Sequence, residues 1–177
     1  VKLLRDSDHL YIGVKAYDSE ADRIIGTTMK RDGSLNADDR IEILLDTFHD
    51  KRNAFYFATN PSGALVDGLV FANGELNTNW DAIWQVRVNR TEAGWVAEFA
   101  IPFKSLNFPE GQGYWGFNVS RTIFRKQEEA QWAGARLESP FLQVSQAGTI
   151  NALGRLSQGI GLDAKIFSAL RWVDMAG

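Results

Sequence analysis

Apolar and polar residues alternate along most of the chain, which predicts a protein built of β-strands. In residues 9–17 the alternation places Leu10, Ile12 and Val14 on one face. Residues 40–48 show the same alternation, with apolar residues on one face and acidic residues at the edges of the other. This pattern predicts a central strand with one acidic-edged face. Further strands are expected at 23–30, 54–59, 65–71, 82–90, 95–101 and 115–124.

Turn-forming residues separate these segments. The sequence Asn60-Pro61-Ser62-Gly63 predicts a turn, because proline presets φ and glycine accepts a positive φ. Only residues 103–106 resemble a helical turn. Strands at roughly ten-residue spacing predict an all-β fold, an antiparallel sandwich or barrel.

The pattern changes after about Gly148, where glycines precede a second alternating run at 162–172. We therefore expect a β-sandwich over residues 1–155. Residues 156–177 are predicted to be a linker and the truncated start of a following β-rich, barrel-like region. Because the chain opens on a strand-like run without an initiator Met, we expect a piece of a longer protein whose leader has been removed.

Composition excludes several classes of function. A hydrophobic content of 45% and a charged content of 23% are ordinary for one globular domain. The net charge of −3 and the scattered Lys and Arg residues argue against nucleic acid as a partner. The absence of cysteine excludes disulfides, thiol nucleophiles and thiolate metal sites.

Catalytic chemistry has weak support in the sequence. Glycoside hydrolysis needs two facing carboxylates, and nothing in the spacing of the Asp and Glu residues pairs them. Asp46 and Glu98 would be the most plausible pair. With only two histidines and no G-x-S-x-G motif, a serine triad is less plausible still. A glycoside hydrolase is therefore the least favoured class.

Acidic residues in predicted turns offer oxygen ligands of the kind that calcium selects. The candidate calcium ligands are Asp18, Asp22, Asp39 and Asp46. The alternative is that such residues only form turns, since Asp and Asn bond their own backbone.

Six tryptophans are a high number for one domain, and exposed aromatic faces stack on sugar rings. Trp84, Trp95 and Trp115 each share a strand face with apolar residues, so we expect them in the core. Trp80 and Trp132 stand beside polar, turn-like residues. They are the candidate stacking platforms, with core packing as the competing use.

Charged residues near Trp132 offer donors and acceptors for sugar hydroxyls. Arg121 lies at the end of a predicted strand, Arg125 lies just beyond it, and Glu128 follows them. A structural ion-pair network is an equally good interpretation of this group.

Several ordered blocks of the sequence are similar to the family 9 carbohydrate-binding module. The blocks are residues 8–18, 39–50, 60–63, 67–68, 80–84, 94–103 and 115–118. The resemblance runs from about residue 1 to residue 155. It is closest to the version found near the N-terminus of large bacterial envelope proteins, where a predicted outer-membrane-type β-barrel follows.

This resemblance implies a jelly-roll-like β-sandwich that binds oligo- or polysaccharides without catalysis, in the periplasm, at the cell envelope or secreted. In the family, two tryptophans enclose the end of a sugar chain, with structural calcium nearby; no tryptophan pair of this chain is assigned to that role. The resemblance also implies possible contact with a C-terminal β-barrel. A structural domain that docks on its own barrel and binds no free ligand is therefore the alternative function.

Overall fold

The computed structural model describes residues 1–134, 140–151, 154 and 156. This part consists of β-strands joined by loops and short 3-10 turns, and none of its helices is long and apolar enough to cross a membrane. The strands are β1 (Lys2–Arg5), β2 (His9–Tyr17), β3 (Arg40–Asp46), β4 (Ala54–Thr59), β5 (Val66–Phe71), β6 (Glu75–Asn77), β7 (Gln85–Thr91), β8 (Gly94–Pro102), β9 (Trp115–Ile123), β10 (Glu128–Gln131) and β11 (Gly148–Ile150). The 3-10 turns are Ala21–Arg23, Phe103–Ser105, Phe124–Lys126 and Val144–Gln146.

The strands form two antiparallel sheets. A four-stranded sheet has the order β1-β2-β8-β7, and a seven-stranded sheet has the order β10-β9-β3-β4-β5-β6. Strand β11 also pairs with β9, on the edge that carries β10, because β3 occupies the other edge of β9. The predicted antiparallel β-sandwich is confirmed, and β3 is central as expected.

The inward-facing side chains of both sheets form one continuous core. Trp84, Trp95 and Trp115 are 4%, 1% and 0% exposed, which confirms that they are core residues. The Trp84 ring stacks on Phe99 of β8 at a centroid distance of 5.8 Å and contacts Phe57 of β4 at 5.1 Å, so it joins the two layers of the sandwich.

The strand predicted at residues 23–30 is wrong, because this segment is a loop fixed by one buried carboxylate. The backbone N–H groups of Thr27 and Thr28 donate to Asp38 at 2.8 and 3.0 Å instead of to a neighbouring strand. The Thr27 hydroxyl and the Asn60 side-chain amide donate to the same carboxylate, each at 2.7 Å. A side chain therefore satisfies the donors that a sheet would otherwise pair.

Acid pH is expected to weaken the fold through Asp38. Burial opposes ionisation, but the hydrogen bonds from Thr27 and Asn60 outweigh it and lower the pKa of Asp38 to about 2. A carboxyl group whose pKa is lower in the folded state stabilises the fold at pH values above its ordinary pKa. This stabilisation, here about 2 kcal/mol, is lost as the pH falls through the folded-state pKa. In urea unfolding, the advantage of the wild type over Asp38→Asn should shrink by that amount from about pH 6 to about pH 2. A pH-independent difference would contradict this assignment.

The face of β3 that is predicted to carry acidic residues is buried. Glu42 and Leu44 are 8% and 1% exposed, and the Tyr56 hydroxyl donates to Glu42 at 2.8 Å. Residues from distant loops, including Phe141 and Val144, cover this outer face and form a second apolar cluster. The seven-stranded sheet is therefore packed on both faces near its centre.

Asp67 of β5 is a second buried carboxylate that organises a loop. It is fully buried, and it accepts hydrogen bonds from the Trp84 indole at 3.1 Å, from Arg31 at 2.6 Å and from the backbone N–H of Ala82. Burial raises the pKa of Asp67 above its ordinary value. This carboxylate fixes the segment before β7, which explains why β7 begins at Gln85 rather than at the predicted residue 82.

The predicted linker and barrel-like start at residues 156–177 lie outside the described residues, apart from residue 156. The domain boundary near residue 155 and the docking on a barrel therefore stay predictions.

Candidate functional site

Trp132 directly follows β10 at the edge of the seven-stranded sheet and is 54% exposed. Its ring packs on one side against Phe117 of β9 at a centroid distance of 5.6 Å. The ring also lies over Gly148 of β11, where an added Cβ would overlap it. Trp132 is therefore a supported aromatic surface that remains open to solvent.

Hydrogen bonds hold the backbone on both sides of this ring. The Trp132 N–H donates to the carbonyl of Val119 at 2.9 Å, which extends the pairing of β10 with β9. The Asn118 side chain then clamps Ala133, accepting from its N–H at 3.0 Å and donating to its carbonyl at 3.1 Å. The position of the ring is therefore set before any ligand arrives.

Glu128 and Ala130 point to the same side of the edge as Trp132, since alternate residues of a strand share a face. We call these three residues the β10 face. Glu128 is exposed and lies about 13 Å along the strand from Trp132, with the small Ala130 between them. Arg121 of β9 lies opposite Ala130. The structure thus brings together Trp132, Glu128 and Arg121 from the sequence-based candidates.

The two candidate arginines are engaged in an ion-pair network between the sheets, as the alternative interpretation predicted. Arg125 binds Asp18, at the end of β2, through two hydrogen bonds of 2.6 and 2.8 Å. Arg121 donates to the Tyr17 carbonyl at 2.6 Å and lies 3.5 Å from Asp18. Arg125 also reaches Glu20 at 3.1 Å. The hydrogen bonds from Arg125 hold the pKa of Asp18 well below its ordinary value.

Trp80 lies elsewhere and is only partly exposed. Its ring packs against Phe55 and Phe57 of β4, at centroid distances of 5.2 and 6.2 Å. Strand β4 is three strands away from β10, which corresponds to about 14 Å. Trp80 and Trp132 are therefore too far apart to enclose one sugar ring between them.

The four predicted calcium ligands do not converge. Asp18 is bound by arginine, Asp22 is exposed on a 3-10 turn, and Asp46 is buried and accepts the N–H groups of Asp50 and Lys51. Asp39 accepts the Phe124 N–H at 2.7 Å, while its other oxygen is buried without a hydrogen-bond partner. Within the described residues, no three His, Cys, Asp or Glu side chains are grouped to hold a metal. These donors do not fit a calcium site, and calcium binding by the chain stays a prediction.

The most plausible catalytic carboxylate pair is also separated. Glu98 is exposed on the outer face of the four-stranded sheet, whereas Asp46 is buried on the outer face of the seven-stranded sheet. Burial raises the pKa of Asp46, but no substrate can contact both groups across the core. This pair cannot perform the two-carboxylate chemistry of a glycoside hydrolase.

Sequence patterns miss two residues that build the Trp132 platform. Gly148 and Asn118 lie 16 and 14 positions from Trp132 along the chain, and only strand pairing brings Gly148 beneath the ring and Asn118 next to Ala133. A polar asparagine between the apolar Phe117 and Val119 is the signal in the sequence that singles out Asn118.

Several solved structures are similar to this fold. A proposed carbohydrate-binding protein from Bacteroides uniformis ATCC 8492 matches with a TM-score of 0.68 and 14% identity, covering 84% of this chain and 75% of that one. A family 9 carbohydrate-binding module from Caldicellulosiruptor kristjanssonii in complex with cellotriose matches with a TM-score of 0.58 and 16% identity, covering 93% and 78%. A module of this family from the same organism in complex with glucose matches with a TM-score of 0.58 and 18% identity, covering 90% of this chain and 78% of that one. At these identities the likeness shows the fold. No curated protein sequence matches.

The model of one protein family matches residues 1–134, which is most of the chain and nearly all of the described sandwich. The matched region contains both sheets except β11, together with the β10 face. The chain belongs to the carbohydrate family 9 binding domain-like family.

Proposed function

We propose that this domain binds a saccharide on the β10 face, with the Trp132 ring stacked on one sugar ring. The observation that carries the proposal is the combination of exposure and support at Trp132. A large aromatic side chain is held open to solvent by Gly148, Phe117 and the Asn118 clamp. A rigid aromatic loses little conformational entropy on binding, so such a platform favours stacking.

Glu128 supplies the polar part of the same site. It is exposed and has no ion-pair partner within 4 Å among the described residues, so its carboxylate is available to accept from sugar hydroxyls. Arg121 and Arg125 support the site indirectly, because their guanidinium groups are engaged by Asp18. The family membership and the saccharide complexes of two structural neighbours favour a saccharide over other ligands.

Binding without chemical change is part of the proposal. The separation of Glu98 from Asp46 across the core leaves the most plausible catalytic pair unusable. Incubation with cellotriose should therefore give no shorter sugars, measured by chromatography of the products. Release of glucose or cellobiose by the pure domain would overturn this part.

We further propose that the domain serves a larger bacterial envelope protein, in the periplasm or at the cell surface, and presents bound sugar chains to it. This proposal rests on the sequence resemblance. Fractionation of cells that produce the parent protein, followed by detection of this domain, tests the location; recovery in the cytoplasmic fraction would contradict it.

Replacing Trp132 with alanine is expected to weaken saccharide binding by about 2 kcal/mol, roughly thirtyfold in Kd, because an aromatic anchor is removed. Calorimetric titration with cellotriose, xylotriose and mannotriose measures the effect. Gly148→Ala should also weaken binding, because the new Cβ displaces the ring without removing it.

Phe71→Ala is the matched control, since Phe71 is a 43% exposed aromatic on β5, away from β10. It should leave the affinity unchanged. Equal affinities of the wild type and Trp132→Ala for the trisaccharide that binds best, or no binding of any of the three, would contradict the proposal.

A further inference from the structure

A hollow of about 560 Å³ lies on the outer face of the four-stranded sheet, on a different surface from the β10 face. Strand register explains its shape. One row across the sheet contains Lys2, Gly13, Glu98 and Arg87, and the next contains Leu4, Tyr11, Ala100 and Gln85. The smallest residue of each row, Gly13 or Ala100, lies in its middle. Gly13 of β2 and Ala100 of β8 therefore lie diagonally opposite each other, and the space above them forms a trough across the two strands, bordered by Tyr11 and Glu98.

Several polar side chains around the hollow are unpaired. Four exposed side chains line it and have no hydrogen-bond or ion-pair partner among the described residues: Lys2, Gln85, Arg87 and Glu98. Elsewhere in the sandwich, Asp18, Asp38 and Asp67 are fully engaged by donors. The unpaired groups at the hollow are therefore available to an external ligand.

One wall of the hollow is an aromatic ring that is fixed in place. The Tyr11 hydroxyl donates to Asp6 at 2.8 Å, and its ring stacks on His9 at a centroid distance of 5.7 Å. This hydrogen bond raises the pKa of Tyr11 above its ordinary value. Tyr11 is 37% exposed, so its ring is oriented yet accessible.

The combination of groups selects the class of ligand. Lys2 and Arg87 donate, Glu98 accepts, and Gln85 does both, which matches sugar hydroxyls because these also donate and accept. A strongly anionic ligand would meet Glu98, and a cationic one would meet Lys2 and Arg87. The apolar floor and the Tyr11 ring suit the C–H face of a sugar.

We propose that this hollow is a second binding site, for a neutral oligosaccharide that lies across β2 and β8 between Tyr11 and Arg87. The inference extends the proposed function to a second surface and takes the ligand class from it. A domain with two such sites can hold two segments of one polysaccharide, which strengthens binding through a raised effective concentration.

Gly13→Val tests the site by filling the trough. A Cβ at Gly13 approaches only the Lys2 carbonyl, at 4.0 Å, and valine favours strands, so the fold is expected to persist. Glu98→Ala and Arg87→Ala remove exposed polar groups and provide variants with little effect on folding. Lys15→Val is the matched control, on the same face of β2 but outside the hollow.

The experiment is an amide NMR titration of the ¹⁵N-labelled domain with cellohexaose, xylohexaose and mannohexaose, carried out in the wild type and in Trp132→Ala. We expect the Gly13 and Ala100 amides to shift in both proteins with the same Kd. Gly13→Val, Glu98→Ala and Arg87→Ala should weaken that Kd by about tenfold or more, while Lys15→Val should not change it.

The two proposals fail separately in this design. Shifts at Gly13 without shifts at the Trp132 indole would overturn the proposed function and retain the hollow. Shifts at Trp132 alone, or no shift with any of the three hexasaccharides, would overturn the second site. Binding at the hollow that Gly13→Val leaves unchanged would overturn it as well.

Discussion

Replacing Asp18 with alanine is expected to lower the free energy of unfolding by about 3–5 kcal/mol, the largest effect predicted for a single polar substitution here. Asp18 is 8% exposed and receives a two-pronged contact from Arg125 at 2.6 and 2.8 Å. Its removal leaves the Arg125 guanidinium, whose side chain is 8% exposed, without its main partner. The network joins the end of β2 to the turn after β9, so its loss also loosens the contact between the two sheets. Urea unfolding at neutral pH measures the change.

Glu20→Ala is the matched control for Asp18. Glu20 contacts the same Arg125, at 3.1 Å, but its side chain is 40% exposed. Exposed ion pairs contribute little, so this variant should lose less than about 1 kcal/mol. Similar losses for the two variants would show that the buried network contributes no more than a surface ion pair.

The second large effect is expected at Asp67, where alanine should cost about 3 kcal/mol. The substitution leaves the Trp84 indole N–H and the Ala82 backbone N–H buried without an acceptor. Each unsatisfied buried donor costs about 1–3 kcal/mol, and relief of the burial penalty on the carboxylate offsets part of the sum. Unfolding in urea, followed by the fluorescence of the buried tryptophans, provides the measurement.

Asp81→Ala serves as the comparison for Asp67. Asp81 lies 3.7 Å from the same Arg31, but its side chain is 73% exposed. This variant should change stability by less than about 0.5 kcal/mol. If Asp67→Ala were equally mild, the carboxylate would not be the anchor of the segment before β7.

The local sequence pattern predicted the position of most of the longer strands well. The strands β2, β4, β8 and β9 follow the predicted ranges closely, and Trp84, Trp95 and Trp115 are core residues as their strand parity indicates. The short strands β6, β10 and β11 escaped notice because three or four residues are too few to show a period of two.

The errors occur where long-range contacts replace local pattern. Residues 23–30 have strand-like composition, but the N–H groups of Thr27 and Thr28 donate to Asp38, which lies ten or eleven residues further along the chain. The outer face of β3 contains the acidic Glu42 in sequence, yet Phe141 and Val144 cover this face from about 100 residues further on. Periodicity within one segment contains no information about either partner.

The proposed binding surface was only partly predictable from the sequence. Polar sequence neighbours indicated that Trp132 is exposed. The same signal also selected Trp80, whose ring packs on Phe55 and Phe57 instead. The acidic turns that suggested calcium are occupied by arginines and by backbone N–H groups. For the hollow, the available signal was Gly13 within a strand, since an interior glycine often marks close approach of a ligand.

If the Trp132 ring stacks on a sugar ring, protons of the bound saccharide lie close enough to the indole to give intermolecular NOEs. With the trisaccharide that binds best among cellotriose, xylotriose and mannotriose, we expect NOEs from the sugar C–H protons to the Trp132 indole ring. These NOEs should disappear in Gly148→Ala, where the ring is displaced. A bound sugar with no NOE to Trp132, and with the Trp132 indole N–H unshifted, would show that Trp132 does not contact the saccharide.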